Sequence, residues 1–410
     1  MKSVSEIKKQ LLKEIKSLKD RKGFLKAGLP KFDRLFGRDS LISAWQLLDW
    51  NSGIAKATLE ILSQFQGKVI SDEREEEPGK ILHETKLEKN WHPEGRFPFP
   101  YYGSVDSTPL YLIVFSFYFK KTRDRRFLKS RWENILMALN WMTEYGDKDK
   151  DYFLEYQRKN PKGLFHQAWK DGFEDHLKIE PPSAIVEVQG YQYLALKEIA
   201  DLAEKRKDFD LAKRLRKRAE ILKEEFNKKF WMEQLDLSSS LSGLKASYEK
   251  YFALALDGKK KQRKAITSNP GHLLFTGIIK EDKVDLVVRR LFQPDLLTPF
   301  GIRTHSTKEL DFNPKSYHLG SIWPHDNWII AQGLQKLGFR KEYEKIKTAL
   351  FSAYEKLGFL PEYYGVENQE IVSVPEACHP QAWAVGALFN FLGLGLPKNI
   401  FQVSSRFFRW

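Results

Sequence analysis

The sequence predicts an all-α fold, an (α/α)6 barrel: a ring of six helical hairpins with long loops gathered at one end. Three observations lead there. Apolar residues recur at helical spacing in about twelve segments of the 410-residue chain, roughly one helix for every 34 residues. Long and short connections alternate between those segments. No Gly/Ser-rich or Pro-rich linker divides the chain, and no convincing series of alternating strands competes. One barrel is therefore expected over residues 1–410, with 1–25 forming an N-terminal amphipathic helix.

The first helix is expected over 3–20, where "EIKKQLLKEIKSLKD" interleaves Leu and Ile with Lys and Glu. Further helices are expected over 39–50, 53–66, 107–120, 127–145, 185–205 and 208–228. The remainder fall over 245–256, 280–291, 321–337, 340–356 and 380–393. The long connections, 67–106, 146–184, 257–279, 292–320 and 357–379, carry most of the unusual residues. Short extended pieces fit in those loops. A helical solenoid is the competing fold. It would show self-similar repeats and would not gather Trp, His and acids in loops.

Composition narrows the function. Aromatics make up 14% of the chain, with 11 Trp, 16 Tyr and 29 Phe. Most must pack ordinary helices, but the surplus suits a cleft lined with flat rings, as sugars and nucleobases favour. The net charge of +14 raises nucleic acid as a partner. The distribution argues against it, because in stretches such as "LAKRLRKRAEILKEEFNKKF" Lys and Arg alternate with Glu, as on solvated helix faces. The densest basic run, "GKKKQRK", reads as an exposed turn. Cys378 is alone, which excludes an intramolecular disulfide and a Cys-based zinc site. No secretory signal and no run of about 18 apolar residues is visible, so the expected location is the cytoplasm, with no membrane partner. Many Lys and Glu with one Cys fit a heat-adapted protein. The helix faces show no dimer stripe, and the oligomeric state is left open.

The loops hold the chemistry. "LFGRDSLIS" places Arg38 and Asp39 before an apolar helical run, where Asp39 could equally be an N-cap. "EPGKILHE" ends in His83 and Glu84. "YYGSVDSTPLYL" places Asp106 before a helix, again with capping as the bland alternative. "HQAWKDGFEDH" packs a Trp, a Lys, three acids and two histidines into eleven residues. "VEVQGYQYLAL" sets Glu187 and Gln189 among apolar residues. "NPGHLLFTGI", "GIRTHS", "NPKSYHLGSIWPHDNWI", "FLPEYYG" and "PEACHPQAWAVG" follow. Together they suggest one pocket built from many loops. No phosphate loop, dinucleotide fingerprint, H-E-x-x-H or nucleophile elbow occurs. His318 and His325 could reach one metal, but Gly320 and Pro324 spoil a regular helical face, so no metal and no cofactor is expected. Carboxylates and aromatics remain, the tools for breaking glycosidic bonds.

In these stretches the sequence resembles the catalytic domain of the amylo-α-1,6-glucosidase, or glycogen-debranching-like, proteins. Their wider relatives are glucoamylases, processing α-glucosidases and the mannosylglycerate or glucosylglycerate hydrolases. The resemblance runs from about residue 30 to 395 through "FGRDS", "EPGKILHE", "YYGSVDSTPL", "QAWKD", "VEVQGY", "NPGHLL", "YHLGSIWPHDN", "LPE" and "PQAWA". "GRDS" alone is weak; the ordered set is specific. The resemblance implies an (α/α)6 barrel that hydrolyses α-glycosides with inversion and without a metal.

It also implies roles. The general acid would be Asp171 of the W-x-D segment, and the general base Glu362 of L-P-E, 191 residues later. An inverting pair stands roughly 6.5–9.5 Å apart, leaving room for water. Asp171 needs a raised pKa to keep its proton, so Lys170 is expected to point away. Glu362 must stay ionised. Glu174 and Asp175 are expected to cap or face solvent, and Glu376 is the alternative base. Arg38 and Asp39 would grip hydroxyls of the terminal sugar, with Trp323, His325 and Asp326 in the same subsite. For His325 a satisfied core histidine is the bland alternative. Glu187 and Gln189 would bind sugar hydroxyls, and Tyr102, Asp106, Trp169, His318 and Gln381 would line the wall.

The expected activity is thus an inverting, exo-acting α-glucosidase releasing glucose from an α-linked oligosaccharide. Many debranching-like relatives carry an N-terminal β-rich domain where this chain begins almost directly with the barrel, which favours a smaller substrate. A hydrolase of a small compatible solute, glucosylglycerate or mannosylglycerate, is the alternative. Such a substrate is anionic, and Arg303, Lys315 and Lys80 are candidates to meet it. A phosphorylase on a similar barrel, a non-catalytic glycan-binding barrel and a nucleic-acid-binding helical repeat are the rivals from other classes.

Overall fold

A computed structural model describes residues 3–89, 92–236 and 247–393. Its helices form two concentric layers. The outer layer contains α1 (Val4–Leu18), α3 (Ser52–Gln64), α6 (Trp132–Glu144), α8 (Phe209–Lys229), α10 (Glu281–Leu291) and α12 (Arg340–Leu357). The inner layer contains α2 (Gly37–Gln46), α4 (Ser107–Thr122), α7 (Val186–Lys205), α9 (Leu273–Thr276), α11 (Pro324–Leu337) and α13 (Ala382–Gly393). A short α5 (Arg125–Ser130) precedes α6. Each inner helix packs against the next, and α13 packs back onto α2, so the ring closes.

The residue pattern explains the layers. In α1 the buried apolar residues are Ile7, Leu11, Ile15 and Leu18, a single stripe at helical spacing. A capping box starts it: the Glu6 amide donates to Ser3 Oγ at 3.2 Å, and the Ser3 amide donates to Glu6 Oε2 at 2.6 Å. In α4 the whole run from Ser107 to Ser116 is buried, and α7 is buried from Val186 to Leu196. An inner helix faces both its outer partner and the barrel axis, so it cannot be amphipathic.

Two expectations change. Residues 245–256 do not form a helix: Ser247–Phe252 pairs antiparallel with Trp231–Asp236, with Trp231 opposite Phe252. Residues 245 and 246 lie outside the described set. Tyr251 and Phe252 are both buried while Lys250 is exposed, and the aromatic content of "SYEKYF" suits a strand once a hairpin partner is present. The fourth inner position is instead filled by Asn269–His272, a 3-10 turn, and the one-turn α9. Elsewhere the boundaries move by a few residues. The other extended pieces are two- or three-residue ladders, among them β1 (Leu35–Phe36) with β2 (Glu84–Thr85).

Candidate active site

The starts of the inner helices point to one end of the barrel, and acids cluster there. Asp39 lies in the first turn of α2, Asp106 is the N-cap residue of α4, Glu187 starts α7 and Asp326 starts α11. Helix N-termini carry partial positive charge, which favours carboxylates in those turns. Asp39 is therefore not an N-cap; that position is Phe36. The long loops before these helices close over the same end and leave a cavity of about 250 Å³.

Asp171 and Glu362 both line this cavity, with Arg38, Asp39, Trp169 and Trp323. Asp171 comes from the "HQAWKDGFEDH" loop, whose ends are tied by His166. That ring bonds Tyr156 Oη at 2.8 Å through Nδ1 and Asp175 Oδ1 at 2.9 Å through Nε2. Lys170 points away from Asp171, donating to the Thr304 carbonyl at 2.6 Å. Burial pushes its ammonium down to about 8. Arg38 donates to Asp171 Oδ2 at 2.8 Å, and His318 Nε2 donates to the Asp171 carbonyl at 3.0 Å. The Asp171 carboxyl is nonetheless raised: burial outweighs the opposing charge of Arg38.

Glu362 is buried to 2% exposure and accepts two hydrogen bonds. Tyr317 donates to Oε1 at 2.6 Å and the Cys378 amide to Oε2 at 3.2 Å. Burial raises this carboxyl to about 7, against the pull of those two donors. Asp39 is raised as well, by burial first, with Asp171 and Glu362 adding to it. Several acids share one low-dielectric cavity, so each ionisation disfavours the next.

The predicted sugar-binding residues separate into layers. Arg38, Asp39, Trp169 and Trp323 face the cavity. Asp106, His318 and Gln381 hold the lining residues. Asp106 accepts from Arg38 Nε at 2.7 Å, His318 stacks on Trp323 at 5.2 Å, and Gln381 donates to Asp39 Oδ1 at 3.2 Å. His325 and Asp326 stand one layer further back. His325 stacks on Trp383 at 3.8 Å, and Asp326 accepts from His272 Nε2 at 2.7 Å.

Tyr102, Glu187 and Gln189 do not line the cavity. The Tyr102 hydroxyl donates to the Phe65 carbonyl at 2.7 Å. Glu187 accepts from Asn269 at 3.0 Å in the core. Gln189 is spent on the Leu154 backbone, accepting from its N–H at 2.8 Å and donating to its carbonyl at 2.9 Å. Glu174 and Glu376 are exposed.

Among the lining residues without a role assigned from the sequence are Tyr317, Trp383 and Arg34. Tyr317 stands beside His318 inside "NPKSYHLGSIWPHDNWI", and Trp383 stands inside "PQAWA", so their motifs signalled the region. Arg34 lies outside any quoted motif. The cations considered for an anionic substrate are elsewhere: Arg303 donates to the Val366 carbonyl at 2.8 Å, and Lys80 to that of Glu75 at 3.1 Å. Lys315 pairs with Glu367 at 3.6 Å, and all three lie outside the cavity lining.

Two acidic clusters among the described residues have metal-ligand spacing, His305–Glu309–Asp311 and Asp147–Asp149–Asp151. Neither lines the cavity. Lys260 sits on Asp149 and Asp151 at 2.8 Å each, and Lys178 and Arg263 approach Asp311 at 3.4 and 3.6 Å. No helix is long and apolar enough to cross a membrane among the described residues.

The mannosylglycerate hydrolase MGH1-like glycoside hydrolase domain matches residues 180–384, half of the chain. The chain belongs to this family. It is a glycoside hydrolase, and the matched MGH1-like region contains Glu362, Tyr317 and the α11 start but not Asp171. A GH63 mannosylglycerate hydrolase from Thermus thermophilus, in complex with Tris, superposes with a TM-score of 0.68 at 13% identity. That match covers 94% of this chain and 100% of the other. The same enzyme with Tris and D-glycerate gives 0.67 at 13%, covering 94% and 100%. An uncharacterized conserved protein from the same organism gives 0.68 at 14%, covering 94% and 99%. These likenesses establish the (α/α)6 barrel. None of the curated proteins matches the chain.

Proposed function

We propose that this MGH1-like protein hydrolyses a small α-linked hexosyl glycoside of the hexosylglycerate type, with inversion at the anomeric carbon. Asp171 acts as general acid and Glu362 as general base. The observation that carries this reading is the pair itself: two carboxyls from distant loops, both raised, in one small cavity walled by Trp169 and Trp323.

Asp171 gives its proton to the glycosidic oxygen as the bond to the anomeric carbon breaks, so the aglycone departs with a neutral hydroxyl group. Glu362 takes a proton from the water that attacks the opposite face of the sugar. One water is consumed, and the sugar leaves with its anomeric configuration inverted. The raised Asp171 carboxyl suits a proton donor, and filling the cavity with sugar desolvates it further. The Tyr317 and Cys378 donors suit a carboxylate that must ionise to act. Trp169 and Trp323 offer ring faces to a pyranose, and Asp39 offers a carboxyl to its hydroxyls.

Substrate size is supported by volume. Ligand pockets span roughly 300–1,000 Å³, and this cavity, at about 250 Å³, is at the small end. A sugar with a three-carbon aglycone suits it better than a branched glucan. Family membership and the mannosylglycerate hydrolase among the structural neighbours favour the same substrate class.

The test is product analysis by NMR on a panel: glucosylglycerate, mannosylglycerate, isomaltose, panose, maltose and limit dextrin, with and without phosphate. Early β-hexose from a hexosylglycerate, abolished by Asp171→Asn and by Glu362→Gln, is the expected result. Turnover confined to isomaltose, panose or limit dextrin would return the assignment to a debranching-type glucosidase. Sugar phosphate formed only with phosphate present would make it a phosphorylase.

A further inference from the structure

The outer helix α1 carries a charged residue inside its apolar stripe. Glu14 lies among Leu11, Ile15 and Leu18 on the buried face and is itself only 9% exposed. A carboxylate is buried at a cost unless partners replace water. Gln10 Nε2 donates to Glu14 Oε1 at 2.9 Å, and His379 Nε2 stands 3.4 Å from the same oxygen. Gln10 makes two further contacts. Its Nε2 also reaches the Gly358 carbonyl at 3.3 Å, and its Oε1 accepts from the Tyr354 hydroxyl of α12 at 2.8 Å.

These contacts fall on the two segments that carry the general base. Gly358 ends α12 in the left-handed region, φ 78°, and leads through Leu360 and Pro361 to Glu362. His379 follows Cys378, whose amide donates to Glu362 Oε2. The two segments are paired directly, because the Glu362 amide donates to the Cys378 carbonyl at 2.8 Å. Phe359 lies against the His379 ring at 4.1 Å. Beyond His379 the chain is tied again: the Leu29 amide donates to the Pro380 carbonyl at 3.0 Å. Side chains of α1 therefore reach the chain just before Glu362 and just after Cys378.

We propose that Gln10 and Glu14 are positioning residues for the general base: α1 braces Gly358 and His379 and so holds the Cys378 amide on Glu362. This rests on the hydrolase reading above and adds the part of the chain that fixes its base. If α1 served packing alone, an apolar side chain at position 14 would suit the stripe better than a buried carboxylate. The brace gives a reason for the interruption.

The thiol makes the brace measurable without turnover. Cys378 is the chain's one cysteine and is 1% exposed, and burial pushes its thiol up to about 11. Labelling of the native protein by dithiobis(nitrobenzoate) therefore requires the 376–379 segment to open.

The experiment compares the full chain with Glu14→Leu and Glu14→Gln by thermal unfolding, Cys378 labelling and the pH profile of kcat/KM. Glu14→Leu completes the apolar stripe and is expected to be at least as stable as wild type. Its labelling is expected to accelerate by on the order of tenfold through local opening. Its acid limb is expected to move to higher pH, because a looser Cys378 amide favours the Glu362 anion less. The expected loss of kcat/KM is roughly three- to tenfold near pH 6 and vanishes above about pH 8. Asp171, Asp39, Lys31, Tyr317 and Tyr363 also face Glu362, and the variants leave them in place. Glu14→Gln keeps an acceptor for Gln10 and should fall between; if Glu14→Leu does not fold, it decides by the same readouts. In an active enzyme, an acid limb that stays in place overturns the brace, and so does wild-type labelling in a folded variant. Faster labelling at unchanged stability, with no glycoside cleaved even by wild type, supports the brace, and the hydrolase reading then fails alone.

Discussion

At the residue scale the site is an exercise in holding carboxyls at chosen proton affinities. For the proposed base, burial raises the carboxyl and is opposed by Tyr317. Its hydroxyl donates to Glu362 Oε1 at 2.6 Å and so favours the ionised form. Burial works the other way and leaves the carboxyl at about 7. A base acts only when ionised, so kcat/KM should fall as pH falls through that value. Tyr317→Phe removes a donor to the anion, which raises the base further and moves the acid limb to higher pH. The expected loss is about tenfold near pH 6 and smaller near pH 8. The pH profile of kcat/KM checks it; a uniform loss with an unmoved limb would mean that Tyr317 acts on substrate instead. Asp171 and Glu362 were legible in the W-x-D and L-P-E segments as candidates. The Tyr317 contact was not, because it joins residues 45 positions apart through side chains only.

At the element scale the site depends on how the first inner helix meets its loop. The β1–β2 ladder delivers the chain directly into α2, and the Gly37 amide donates to the His83 carbonyl at 2.8 Å. A Cβ on Gly37 would stand 2.2 Å from the Leu82 carbonyl oxygen and 2.7 Å from Ser107 Oγ. Backbone on one side cannot yield, so α2 would have to shift and carry Arg38 and Asp39 with it. Gly37→Ala should therefore cost about 1–3 kcal/mol of stability and lower kcat. Thermal unfolding and steady-state rates on the same preparation measure both. Retained stability with full activity would sink the argument. Helix existence was readable from periodicity for most of the ring. The failure over 245–256 has a physical cause: "SYEKYF" is short and rich in aromatics that suit a strand, and a hairpin partner 11 to 21 residues earlier decided between the readings.

At the scale of the whole molecule, ring closure sets how near the inner helices can come. Gly333 of α11 faces α9, where an added Cβ would meet the Phe275 amide nitrogen at 2.7 Å. Gly386 of α13 faces α2, where it would meet Gln46 Oε1 at 2.2 Å. Gly→Ala inside an exposed helix normally stabilises by roughly 0.5–1 kcal/mol. Gly333→Ala should do the opposite, lowering stability by about 1–3 kcal/mol, because a sixth of the ring here is one helical turn with nowhere to retreat. Denaturant unfolding of the two proteins tests the sign, and a more stable variant would contradict the packing.

The sequence by itself determined most of the helices of the ring, because periodicity is local. It also determined which loops carry acids and rings. Tertiary structure alone decided which of those acids share a cavity. Glu187 and Gln189, near an inner helix start like Asp39, turn into the core, while Arg34 outside any motif turns toward the site. Side-chain direction at a helix start depends on where the neighbouring loops lie. Those loops are placed by contacts between residues far apart in the chain, such as Arg38 with Asp106 and Asp171, or Gln381 with Asp39.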